Sequence, residues 1–193
     1  KTMSDLALVY ARKRKFDESV DLLKRELGIV KALPDQDQSD LVIKYQALAV
    51  INRQRGNNAE AIEYFKQALK VAQEKMGRDS LKAANLMAEI AVTYMASDDH
   101  VQAAQYAKSA LAAFEAAKGA DADETVNLAC LLYTQYLSLD KLAEARALLP
   151  KYIEARTKTK GEKDLLLQKM RTVLPMSMEP RKPTPVVPSA IKC

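Results

Sequence analysis

One spacing constrains this chain more than any other property. Ser19, Ala61, Ala103 and Ala145 each open an amphipathic stretch, and each lies 42 residues from the next. The same interval joins Leu6, Leu48, Ile90 and Leu132, then Leu27, Leu69, Leu111 and Ile153, and it also separates Gly77, Gly119 and Gly161. No insertion breaks the register, so the chain repeats one supersecondary unit. Each half of the unit carries apolar residues at i, i+3, i+4 and i+7, the period of a helix buried along one side. The unit is therefore a pair of helices. In the third copy the first helix is predicted over about 80–96, with Ser80 as its N-cap, and the second over about 101–118, with Gly119 closing it.

A helix pair of this kind cannot bury both apolar faces by itself, so successive pairs must stack. The sequence predicts an all-α solenoid over 1–174, with repeats of approximately 1–37, 38–79, 80–121 and 122–161. A further amphipathic helix over 162–174, with Leu165, Leu166, Leu167, Met170, Val173 and Leu174, reads as a solvating cap. Pro175 stops it, and five of the seven prolines fall in 175–193, a Pro-rich tail that favours extended chain over a core. Pro150 falls inside the last second helix and predicts a kink or restart there.

The packing residues resemble those of the tetratricopeptide repeats, in particular the 42-residue variety of kinesin light chains. The second copy places Leu48, Ala49, Gly56, Ala61, Phe65, Ala68 and Leu69 at the family's positions; the first places Leu6, Ala7, Tyr10, Phe16 and Leu27; the fourth places Leu132, Tyr136, Leu142, Ala145 and Leu149. The resemblance departs at Asn52, where an aromatic is usual, and at Asn58 and His100, which replace a bulky turn residue. It implies an α-α superhelix with a peptide groove on its concave face, lined by first helices.

Off the packing stripe, those helices present Leu8 and Arg12, then Gln46, Val50 and Arg53, then Asn85, Glu89 and Val92, and finally Asn127, Leu131 and Thr134. This stripe is more apolar than charged. It suits a partner peptide or amphipathic helix with some acidic residues, and Asn85 and Asn127 could bond a peptide backbone. It lacks the Lys and Asn clamp of repeats that capture acidic chaperone tails, because Leu8, Val50, Val92 and Thr134 hold the central positions. It also lacks the paired asparagines of kinesin light chains, so a different ligand is expected.

The charge is unevenly placed. Residues 1–150 carry a net of −1 and residues 151–193 a net of +6. A basic end can attract nucleic acid or an anionic membrane, which makes that region the alternative binding site. Tyr152 is its one aromatic, so base stacking finds little support. The run from Arg12 to Lys15 reads as a solvated turn. A catalytic role is not expected: His100, the sole histidine, falls in a polar turn with Asp98 and Asp99, and no cofactor or metal motif occurs. No stretch is apolar enough to span a membrane. Cys130 and Cys193 lie too far apart in sequence to suggest a ligand set, with Cys130 read as a small buried hydrophobe. A cytoplasmic or other reducing compartment is expected. The absence of an initiator Met and of a residue block before the first helix suggests a segment of a longer chain, with oligomeric state open.

Overall fold

The computed structural model describes residues 2–32 and 39–173, and the expected tail over 175–193 lies outside them. The described residues form helices α1 (Met3–Arg12), α2 (Phe16–Ala32), α3 (Ser39–Gln54), α4 (Asn58–Met76), α5 (Leu81–Met95), α6 (His100–Lys118), α7 (Asp123–Ser138), α8 (Leu142–Lys160) and α9 (Leu165–Val173). Each packs on the next in chain order, as a stack of antiparallel pairs. The second helices begin at residues 16, 58, 100 and 142, and the first helices after α1 begin at 39, 81, 123 and 165. Both series keep the 42-residue interval, and α9 thereby stands where the first helix of a fifth pair would stand.

The helix boundaries follow from capping chemistry. Ser80 accepts a hydrogen bond from the Ala83 amide at 3.2 Å, Asp99 from Gln102 at 3.0 Å and Asp164 from Leu167 at 2.9 Å. Thr2 and Asp5 close a reciprocal capping box on α1. The turn inside each pair is built the same way four times, with Arg14, Gly56, Asp98 and Asp140 at φ of 59°, 85°, 57° and 58°. The amide after each donates back to Tyr10, Asn52, Tyr94 and Tyr136 carbonyls at 2.9–3.1 Å. These are Schellman ends, in which a left-handed residue lets the chain reverse while satisfying the last carbonyls.

The core runs the length of the stack. Leu48, Ile90 and Leu132 are all but inaccessible, as are Ala61, Ala103 and Ala145 where the paired helices cross. Large and small residues trade places between repeats: α4 buries Phe65 with Ala72, and α6 buries Ala107 with Phe114 at the equivalent positions. One aromatic at this pair of positions in each of the two helices fills its layer without overpacking. Three expectations need correction. Leu6, the equivalent of Leu48, is 41% exposed, because no helix lies over that side of α1 among the described residues. Helix α8 runs unbroken through Pro150, so no restart occurs there. Leu149 and Tyr152, both buried, hold the turns on either side of it. His100 is the first residue of α6 rather than a free turn residue, and its Nδ1 meets Gln135 Oε1 at 2.9 Å.

Position 156 departs most from the pattern. Its equivalents Ala72 and Phe114 are core residues, yet Arg156 is equally buried. Its Nε and Nη2 donate to Asp164 Oδ1 and Oδ2 at 2.5 and 2.9 Å, Nη2 also reaches Asp123 Oδ1 at 2.9 Å, and Nη1 donates to the Asp121 carbonyl at 2.7 Å. A buried guanidinium needs such complete pairing. Because Asp164 also caps α9, this cluster latches the final helix to the fourth pair. The Arg156 hydrogen bonds hold the Asp164 carboxyl down at about 2.

Candidate partner-binding site

The residues expected to line one groove fall into two hollows joined by a polar bridge. The first lies between α1, α2 and α3 and measures about 370 Å³. Leu8 and Ile43 form its lips, Ala7, Ala47 and Val50 its walls, and Leu23 its floor. Small side chains at 7 and 47 open this space, since a larger residue at either would fill it. Leu8 and Ile43 are 51% and 55% exposed, although the remaining lining is largely covered. An open apolar dent of this kind gains free energy when a partner side chain displaces its water.

Its rim is polar and mostly self-satisfied. On one side Lys44 Nζ donates to Glu26 Oε1 at 2.7 Å and to Ser4 Oγ at 2.8 Å, while Ser4 Oγ donates to Glu26 Oε2 at 2.5 Å. On the other, Lys82 Nζ donates to Gln46 Oε1 at 2.7 Å, a neutral partner that leaves the ammonium charge uncompensated by that contact. The sequence reading included Gln46 but missed Lys82 and Lys44, which belong to the helix edges rather than to the central stripe.

The second hollow, about 260 Å³, lies at the other end of the first-helix face and gathers Asn127, Leu131 and Thr134 with Met95, Cys130 and Lys169. Lys169 comes from α9, so the cap helix contributes to this hollow as well as closing the stack. Cys130 is half-buried rather than fully enclosed, and burial pushes its thiol up from the ordinary value, which keeps it protonated. Thr134 Oγ1 donates to the Leu131 carbonyl at 2.7 Å.

Between the hollows Arg53 Nη1 donates to Glu89 Oε2 at 2.6 Å and sits over the Phe65 ring at 5.4 Å. Expected as separate contact residues, Arg53 and Glu89 instead form a bridge from α3 to α5. Arg12, Asn85 and Val92 line neither hollow. Asn85 Nδ2 donates to the Leu81 carbonyl one turn back at 2.7 Å, so one of its two amide hydrogens is engaged within its own helix.

The basic end is less free than its composition suggests. Lys151 pairs with Glu115, Lys158 with Glu154 at 2.6 Å, Arg171 with Glu162, and Arg156 lies in the buried cluster described above. Among the described residues no three His, Cys, Asp or Glu side chains gather where they could hold a metal, and no helix is long and apolar enough to cross a membrane.

The tetratricopeptide repeat model matches residues 1–74 and 39–116, which together take in more than half of the sequence. The chain belongs to the tetratricopeptide-repeat family. No curated protein matches it. Among solved structures it is similar to BtubC (BKLC) from P. vanneervenii, at 22% identity and a TM-score of 0.74, with 91% of this chain and 70% of that one covered. It is also similar to the nearly identical TPR-like repeats of a Podosopora anserina protein named for kinesin light chain. There the identity is 19% and the TM-score 0.76, over 91% of this chain and 83% of that one. A point-substituted form of the latter gives 21% and 0.75, over 91% of this chain and 82% of that one. These likenesses establish the solenoid fold. The repeats make the chain a scaffold of the protein-interaction type, an architecture that is typically non-catalytic.

Proposed function

We propose that this tetratricopeptide-repeat protein is a non-catalytic adaptor that holds a partner peptide or amphipathic helix on its first-helix face, within a larger assembly. The observation that carries the reading is the open hollow with Leu8 and Ile43 exposed at its lips over small-residue walls. An aliphatic or aromatic side chain of the partner fills that hollow, and a neighbouring carboxylate of the partner meets Lys82 at the rim. The partner runs over the Arg53–Glu89 bridge toward the second hollow, where Asn127, Leu131 and Thr134 offer mixed polar and apolar contact. Anchors at intervals along a helix face are read in this way by other grooves of comparable chemistry.

The test is a peptide-display selection on the full chain, followed by affinity measurement with Val50→Glu and Thr134→Glu variants. Peptides with spaced apolar anchors, bound at least tenfold more weakly by Val50→Glu, support the reading. Selected binders that ignore both substitutions and lose affinity steeply with salt would shift binding to the basic residues after 150.

A further inference from the structure

The series that sets Asn85 and Asn127 on the first-helix face has a third member. Lys169 of α9 lies 42 residues beyond Asn127, and α9 takes a first-helix position in the stack, so the repeat turns this side chain onto the same face. There it shares the second hollow with Met95, Asn127, Cys130, Leu131 and Thr134, none of which carries a charge. Its ammonium is near enough to the Cys130 thiol to oppose the effect of burial on that group. Other cations of the basic end are paired, Lys151 with Glu115, Lys158 with Glu154 and Arg171 with Glu162. Lys169 meets no carboxylate among the described residues.

The hydrogen bonds around Thr134 add a second polar preference. Thr134 Oγ1 donates to the Leu131 carbonyl at 2.7 Å and accepts from Gln135 Nε2 at 3.2 Å, while Gln135 Oε1 meets His100 Nδ1 at 2.9 Å. With its one hydrogen committed, Thr134 offers a partner a lone pair and no donor. An anionic acceptor entering the hollow is therefore drawn to Lys169.

We propose that the second hollow is a carboxylate subsite, taking a glutamate side chain of the partner with its methylenes against Met95 and Leu131 and its carboxylate on the Lys169 ammonium. The inference rests on the adaptor reading and supplies the chemistry of its second anchor. One lysine among neutral neighbours balances one negative charge, which fits a carboxylate and leaves a phosphate dianion undercompensated. Residues 175–193 of the chain carry the wrong charge for this role, with Glu179 alone against Arg181, Lys182 and Lys192. Because Lys169 belongs to α9, a bound carboxylate also ties that helix to the first-helix face. Partner and Arg156–Asp164 latch then favour the same docked position of α9.

A random peptide-display library selected in parallel on the full chain and on its Lys169→Glu variant tests this; Lys169 is exposed, so the substitution leaves the fold intact. Parent binders should share a Glu at a fixed interval from their apolar anchor. Lys169→Glu should select Lys or Arg at that interval, with the anchor unchanged. In one parent binder, replacing that Glu by Gln should weaken binding to the parent about fivefold or more and leave binding to Lys169→Met unaltered. The Glu form alone should slow amide exchange in α9. An acidic preference that persists on Lys169→Glu overturns the proposal. So does its absence from binders that Val50→Glu abolishes, an outcome that leaves the adaptor reading standing. Loss of binding on amidation of the peptide's carboxyl terminus, or a gain of tenfold with Glu179→Gln, overturns the assignment to a partner side chain. Selection of no binder sensitive to Val50→Glu removes the adaptor reading and this inference together.

Discussion

The four Schellman turns allow a reciprocal experiment on one backbone conformation. Gly56 sits at φ of 85°, and a Cβ added there would meet no atom within 4 Å. The cost of Gly56→Ala is therefore conformational alone. Holding a non-glycine residue in the left-handed region costs roughly 1–2 kcal/mol, and alanine's lower unfolded-state entropy returns about 0.4–1 kcal/mol. The net is a destabilisation of about 1 kcal/mol. Arg14 occupies the equivalent position at φ of 59° with an exposed side chain, so Arg14→Gly should stabilise by a similar amount, about 0.5–1 kcal/mol. In a chain of this size about 1 kcal/mol shifts the midpoint by roughly 2–4 °C. Thermal unfolding followed by circular dichroism reads both, with amide exchange at residues 10–15 and 52–57 assigning each effect to its turn. The two sites lie in different repeats, and the double variant should sit close to the parent. Loss of stability in Arg14→Gly would refute the left-handed assignment at that turn and with it the equivalence of the four.

Other substitutions probe the core and the cap. Pro150→Ala should stabilise α8 by about 1–3 kcal/mol, because it restores an amide donor to a helix that already runs through this position; denaturant unfolding measures it. Asn52 is fully buried, with Nδ2 donating to the Leu48 carbonyl and Oδ1 without a hydrogen bond among the described residues. Asn52→Leu should be neutral or stabilising by about 1 kcal/mol, since it removes an unsatisfied group, and a loss above that in the same assay would show that Oδ1 has a partner. The depressed Asp164 gives the α9 latch a defined acid limit. Its contribution is complete above the ordinary 3.8 and is lost as the carboxyl protonates on the way down to about 2. Amide protection in α9, corrected for the intrinsic pH dependence of exchange, should therefore fall as pH drops from about 4 to about 2, and Arg156→Met should abolish that dependence.

The repeat, the helix pairs and most of the core were legible in the sequence because burial recurs at fixed positions. Leu48, Ile90 and Leu132 must face inward wherever a pair stacks on another, and the glycines at 77, 119 and 161 mark where second helices stop. The same regularity misled at the edges of the array. Leu6 carries the core pattern yet is exposed, since burial in a solenoid comes from the neighbouring pair rather than from the residue itself. Arg156 looked like part of a basic surface because charge was counted along the chain. Its periodic equivalents, Ala72 and Phe114, were the signal that it would be buried, and Asp164 eight residues on was the signal that it would be paired. The candidate site was half legible. Leu8, Gln46 and Val50 do come together, as do Asn127, Leu131 and Thr134, but the two groups line separate hollows, and Arg53 and Glu89 pair with each other instead of lining either. That pair joins neighbouring repeats through residues 36 apart in the chain, and both of its members carried their own signal as surface residues only. Lys169 was missed because a cap helix was expected to solvate the end rather than to border the binding face.

The most direct measurement of the adaptor reading is a methyl-resolved NMR titration of the full chain, labelled at Ile, Leu and Val, with a peptide taken from the display selection. The account predicts the largest shifts at Leu8, Ile43 and Val50, smaller ones at Leu131, and their disappearance in Val50→Glu while the rest of the spectrum keeps its parent positions. Shifts confined to methyls of α8 and α9, with Leu8, Ile43 and Val50 unmoved, would contradict it and place the interaction at the basic end of the stack.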